Sequence, residues 1–332
     1  MKNIFPLISL GNEQPVIKDY SLLVPGSVCL ANEARLTTAT FSEALTAYAA
    51  GWSDKENLQE TVNFIAPRTP VGRRFEYKKA KNAEAFLSEV DDERVIGADF
   101  KRVEYRGDTV NSKTKNRGLT IRLDRDEMSG LMDEERATAL LLQRIKRNKL
   151  RRAITVILAA ATDTPVNWGN AGTPDEDMRE AVAAAQLSSG VYPNRGLIGL
   201  VAWNLRAQIY SAQDTAGAFA AMNNTPDQVG QKLGLEGFRS LASLYQSSPT
   251  AKTRILASLA VFFYAQDMMS KDDPSVVKEF VSSVDGGGDT RVHREEIGPK
   301  FLDITVEHYD SIEGTAGTGV GATKLTITDT TS

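Results

Sequence analysis

The sequence is nearly devoid of cysteine and histidine. Cys29 is the one cysteine in 332 residues, so no disulfide can close within the chain, and a reducing compartment suits it. His293 and His308 are the two histidines. With no His-Glu-x-x-His sequence and no pair of cysteines, a zinc site is not expected. Long apolar runs are missing too. The most apolar stretch, residues 256–265, is too short to cross a bilayer. The opening residues, MKNIFPLISLGNEQ, lack the apolar centre of a secretory signal. Nor is one sign of charge in large excess. The net charge of −4 provides no overall basic field for nucleic acid, so any basic surface must be local. These absences predict a soluble, intracellular protein with no membrane partner.

Catalytic and ligand-binding signatures are also missing. Residues 314–324, GTAGTGVGATK, imitate a phosphate loop. They lack the adjacent Gly-Lys-Ser/Thr, however, and a β pattern rather than a helix follows. A flexible hairpin loop is expected there. Acidic clusters at 91–93, 124–127, 175–177 and 272–273 do not follow the alternating spacing of a calcium loop. There is no Gly-x-Ser-x-Gly elbow. No cofactor, metal ligand or catalytic residue is expected, and both histidines read as ordinary packing or surface residues on strand-like segments. Against these absences, 41% of the residues are apolar and 25% charged, so the chain can bury a sizeable core.

The stretch 132–162, MDEERATALLLQRIKRNKLRRAITVILAAAT, organises the rest. It holds no Gly and no Pro and is dense in strong helix formers. Acids fill its first turn, where they suit the helix dipole, and Pro165 lies just beyond its end. At 1.5 Å per residue it predicts a helix about 45 Å long. Stepping round it at about 100° per residue, Ala137, Leu141 and Ile145 form one apolar stripe. Leu150, Ile154, Ile157 and Ala161 form another, nearly opposite. The change falls in 144–152, where Arg144, Lys146, Arg147, Lys149, Arg151 and Arg152 make six of nine residues basic. A helix on a single core keeps one stripe, so this one is expected to touch different neighbours at its two ends. The basic run has two readings. It could contact nucleic-acid phosphates without reading bases, or pair with acids of neighbouring segments.

Elsewhere the pattern changes by region. Residues 1–35 are broken by Pro6, Pro15, Pro25 and Gly26 yet carry many apolar side chains, which predicts an extended arm docked on something outside itself. Thr40 to Glu43 reads as a capping box for a helix over 41–50. Residues 67–112 alternate Val71, Phe75 and Tyr77 with Arg68, Arg73, Arg74, Lys78, Lys79 and Lys81. A polar middle follows, and the alternation then resumes at Phe100, Val103, Tyr105 and Val110. This predicts a long two-stranded ribbon with too few apolar residues for a core of its own. Such a ribbon needs a partner surface. The acids Asp133, Glu134, Glu135 and 175–177 of a neighbour are candidates to receive its basic residues. Leu119, Ile121 and Leu123 mark a strand entering the body. A polar loop is expected over 163–172 and a second capping box at Thr173. Helices and buried strands alternate to about residue 270, and the remainder is β-rich.

The order of arm, ribbon, long helix, α/β segment and β-rich tail resembles the major capsid proteins of tailed bacteriophages, with their Hong Kong 97-like α+β fold. The wording is similar as well. RRFEYKKA and GADFKRVEYRGDTV resemble that family's extended loop. TKNRGLTIRLD and RNKLRRA resemble its strand before the spine helix and part of that helix. YPNRGLIG, AWNLRAQ and FLDITVEHY resemble its later portion. The resemblance spans roughly 60–312.

It implies an N-terminal arm (1–35), an N-terminal helix region (36–66) and an extended loop (67–112). A peripheral domain with the spine helix (113–165) and an axial domain (166–270) follow, and a β-rich part (271–332) returns to the peripheral domain. It implies that arm and loop clasp neighbouring copies, with the six basic residues of the loop in the contact. Copies would form hexamers and pentamers of an icosahedral shell around double-stranded DNA held without sequence specificity. Portal and separate scaffolding protein would be partners. The shell would be assembled in the host cytoplasm and reside in the virion. The alternatives are an encapsulin-like nanocompartment shell of the same fold, or an α/β enzyme with a β-rich accessory domain.

Overall fold

The computed structural model describes residues 40–79, 93, 99, 108–128, 130–169, 172–213, 215–267, 270–283 and 289–329. The expected arm, the middle of the ribbon and Lys81 lie outside the described residues. Helix α1 (Glu43–Gly51) is capped by the Ser42 hydroxyl, which accepts from the Leu45 N–H. Thr40, one of the expected cap residues, instead lies 3.2 Å from the His293 ring. Helix α2 (Leu58–Ile65) follows. The Asp54 carboxylate accepts from the Leu58 and Gln59 N–H groups at its start.

Strand β1 (Arg68–Pro70) leads to the ribbon strands β2 (Arg74–Lys79) and β3 (Asp108–Lys113). Strand β4 (Lys115–Asp124) then enters the body ahead of α3 (Leu131–Ala160). α3 is continuous over 30 residues. Its two apolar stripes face different cores. Ala137, Leu141 and Ile145 pack with Val292, Leu302, Ile304 and Val306. Leu150, Ile154 and Ile157 pack with Leu58, Ile65, Val276 and Ile312. Each of the Leu, Ile and Val side chains stabilises the fold by about 1.5–3 kcal/mol.

Beyond α3 come β5 (Thr162–Asn167), α4 (Pro174–Ser189), β6 (Arg195–Gly199), α5 (Leu200–Ala212), α6 (Ala216–Met222), α7 (Pro226–Lys232) and β7 (Gly237–Leu241). Then follow β8 (Leu244–Gln246), β9 (Lys252–Arg254), β10 (Leu259–Phe263), β11 (Val277–Val281), β12 (Thr290–Ile297), β13 (Phe301–Gly314) and β14 (Ala322–Thr328). The expected polar loop after α3 is instead the edge strand β5, which pairs in parallel with β14. Its side chains are largely exposed, so it shows no apolar alternation, and Pro165 is tolerated because an edge strand need not donate on both sides. The box at Thr173 is not formed by its side chain, whereas Thr225 and Gln228 make a complete capping box for α7.

Two five-stranded sheets carry the body. One runs β1-β11-β13-β12, with β4 also paired to β13. The other runs β5-β14-β10-β6-β7. Residues 315–321 therefore cross between sheets rather than close a hairpin. At Gly199 a Cβ would sit 1.9 Å from the Ala257 carbonyl oxygen, so the second sheet requires glycine where β6 turns into α5. Among the described residues no helix is long and apolar enough to cross a membrane.

Candidate functional site

The ribbon base is built on its own subunit. β2 and β3 pair antiparallel, with Arg74 opposite Lys113 and Tyr77 opposite Val110. Strand alternation puts Phe75 and Tyr77 on one side, where their rings lie 4.5 and 5.2 Å from that of Phe280. Burial, reinforced by Glu313, raises the Tyr77 hydroxyl to about 12.

The basic residues here have varied surroundings. Arg68 is 3.7 Å from Glu279 and 2.6 Å from Asp289. Arg73 lies over the Tyr309 ring at 5.2 Å. Arg74 and Lys78 are exposed and Lys79 is half-buried. The Lys78 N–H donates to the Asp272 carboxylate. Several acids offered above as their partners on a neighbour have partners inside the chain. Arg294 grips the buried Glu134 at 3.0 Å. Arg206 binds Asp175 through two hydrogen bonds, at 2.6 and 2.9 Å. The Trp168 indole donates to Asp177 at 2.7 Å.

The basic run of α3 meets acids and rings of this chain. Lys149, buried, reaches Glu279 at 2.6 Å and Asp310 at 3.7 Å. Arg152 holds the same Asp310 at 2.7 Å, and Arg117 from β4 approaches it at 3.0 Å. Arg147 pairs with Glu56 at 2.7 Å. Lys146 lies over Trp52 and Arg151 over Tyr245, while Arg144 is exposed. Lys149, Arg152 and Arg147 thus pair with acids of neighbouring segments of this chain.

Burial alone would raise the Asp310 pKa. His308 and the cations Lys149 and Arg152 reverse this and hold it well below the usual carboxylate range. His308, with Nε2 3.5 Å from Asp310, is held below its ordinary pKa mainly by burial. His293 bridges Thr40 and Glu307. Its hydrogen bond is the main cause of the lowered Glu307 pKa.

Chemically the network can do little besides hold position. Lys149, Arg152 and Arg117 neutralise Glu279 and Asp310, while Glu279 Oε2, Asp310 Oδ1 and both His308 ring nitrogens are buried without a hydrogen-bond partner. Among the described residues no group of three His, Cys, Asp or Glu side chains could hold a metal ion. What it does is fix α3 on the first sheet, since an ion stranded in a low-dielectric interior costs several kcal/mol. Sequence reasoning did not assign the acids Glu279 and Asp310 to it. The available signal was the polar pair His308 and Asp310, two apart on one side of an otherwise apolar strand.

A phage-related protein from Bordetella bronchiseptica RB50 superposes with a TM-score of 0.64 and 14% identity, covering 86% of this chain and 96% of that one. The two chains share a fold. The capsid of cyanophage P-SCSP1u gives a TM-score of 0.49 at 8% identity, over 80% of this chain and 87% of its own. An encapsulin complex from Synechococcus elongatus gives 0.46 at 12% identity, over 90% and 94%. No family model matches the sequence, and no curated protein matches it significantly.

Proposed function

We propose that this chain is a structural protein, a major capsid subunit that self-assembles into an icosahedral shell around double-stranded phage DNA. The observation that carries the reading is the fold shared with a phage-related protein over 86% of the chain. The loop and helix wording that resembles tailed-phage capsid proteins supports it. So does a ribbon whose apolar side chains suffice only for a foothold at its base.

In this reading 67–112 reach an adjacent copy, and 113–165 with the first sheet form the peripheral domain. Residues 166–270 form the axial domain, around which hexamers and pentamers close. β14 (within 271–332) pairs with the axial strand β10. The arm 1–35 is ordered by neighbours. Scaffolding protein and portal are partners, assembly takes place in the host cytoplasm, and the role is not enzymatic.

The test is to express the chain and size it by sedimentation and negative-stain imaging. Icosahedral particles tens of nanometres across are expected, and with the phage's other components they should protect DNA from nuclease. A small oligomer with reproducible turnover would overturn the reading. Particles filled with a single cargo protein would favour an encapsulin-like compartment.

A further inference from the structure

Where the ribbon meets the body there is a cavity of about 470 Å³ lined by Arg73, Arg74, Lys113, Thr114, Lys115 and Asn116. Among the described residues no carboxylate lines it. A second cavity of about 480 Å³ shares Lys115 and extends along α3 past Arg117 and Arg151, with Glu313 on its wall. Some of these cations have partners: Arg117 approaches Asp310, and Arg151 lies over Tyr245. Arg74, Lys113 and Lys115 are exposed, and none has a carboxylate within ion-pair distance among the described residues. Arg74 and Lys113 are also directly opposite in the ribbon ladder, and like charges facing across strands are destabilising. Four cations crowd one end of a short ribbon, so the fold leaves an anion site open there.

The chain supplies a matching anion. Residues 89–93 read EVDDE, four carboxylates in five positions, and fall between the two ribbon strands in sequence. Residues 80–107 are 28 residues, enough chain for two arms reaching about 45 Å at ~3.3 Å per residue. That length is enough for the acidic run to reach a different copy. Glu134, Asp175 and Asp177, which could have received the ribbon's basic residues, already have partners in the chain.

We propose that the groove of Arg74, Lys113 and Lys115 binds the carboxylate-rich segment 89–93 of a second copy. The polarity of the contact is thus acidic tip into basic base. The proposal rests on the reading of the chain as a shell subunit. Glu76 and Glu313 line the adjoining cavity beside the same three cations and oppose any polyanion there, so a nucleic-acid phosphate backbone is left as an outcome of the test.

The experiment uses the full chain in four forms: wild type, Lys113→Glu/Lys115→Glu, Asp91→Lys/Asp92→Lys, and all four changes together. Each pair alone should cut particle yield at least tenfold while the subunits stay folded by circular dichroism, and the fourfold swap should restore assembly. Failure of the swap to improve on either pair overturns the proposal. So does a groove variant that assembles normally, including one that assembles but no longer protects DNA.

A second measurement does not depend on shells. A synthetic peptide of residues 85–98 should bind the wild-type chain saturably in calorimetry. Binding should be at least tenfold weaker to Lys113→Glu/Lys115→Glu and should weaken as salt is raised. Absence of peptide binding overturns the docking even if shells form, whereas absence of shells with peptide binding intact counts against the capsid reading alone.

Discussion

The two halves of α3 rest on different kinds of surface. The half beginning at Leu131 lays Ala137, Leu141 and Ile145 on the apolar face of β12 and β13. The other half buries Leu150, Ala153, Ile154 and Ile157, but it also carries Lys149 below the surface against Glu279 and Asp310. Apolar contact is non-directional and roughly proportional to area, so by itself it tolerates a helix displaced along its groove. An ammonium 2.6 Å from a carboxylate does not, because a shift of one turn, about 5.4 Å, would leave ions buried and unpaired. One half supplies adhesion, and the other supplies adhesion together with position.

The largest effect expected from this contrast comes from Ile154→Asp. A lone charge in the central core should cost about 4 kcal/mol or more, while Leu140→Asp, on the exposed side of the same helix at 45% exposure, should cost less than about 1 kcal/mol. Urea unfolding of the two variants checks this, and similar midpoints would erase the distinction between faces. Next is Asp310→Asn, which leaves Lys149 and Arg152 short of a counter-charge. A loss of about 3 kcal/mol is expected. A loss below about 1 kcal/mol would mean that the ions are hydrated and do not set the position of the helix.

A smaller effect is pH-dependent. His308 and Asp310 both have folded pKa values below their ordinary 6.5 and 3.8. The stability each contributes is therefore fully present above the unfolded value and is lost as pH falls through the folded one. Wild-type stability should decline below about pH 6.5, with a slope of up to about 1.4 kcal/mol per pH unit from His308, and again below about pH 3.8. His308→Gln should flatten the first decline between pH 6.5 and 5. A urea midpoint in that variant that still falls as steeply would assign the slope to another group. Smallest is Arg147→Ala, which removes a half-exposed pair with Glu56 and should change stability by about 0–1 kcal/mol.

The long helix was legible because 30 residues without Gly or Pro have few alternatives, and its two stripes because periodicity reports which side is dry. The capping box expected at Thr173 is not made by its side chain. β5 could not be read, since an exposed edge strand carries no apolar alternation. α2 escaped notice because it is only eight residues long and takes its cap from Asp54, four residues before it starts. The partners of the basic run were also hidden. Lys149, Glu279 and Asp310 are brought together by the fold from positions more than a hundred residues apart along the helix-to-sheet path, a separation local pattern does not encode. The cationic groove is of the same kind, visible in sequence only as basic residues scattered over 73–115.

The two strands made last in this sequence occupy interior places. β13 has β4, β11 and β12 as neighbours, and β14 lies between β5 and β10. The first sheet cannot close until residue 314 is made, nor the second until residue 328, which at ~5–20 residues per second is roughly 8–34 s after α3 is translated. During that interval α3 has no finished surface to settle on, and no partly made chain can offer a neighbour a complete binding face. Subunits thus become competent only once β14 has been made, which delays their association.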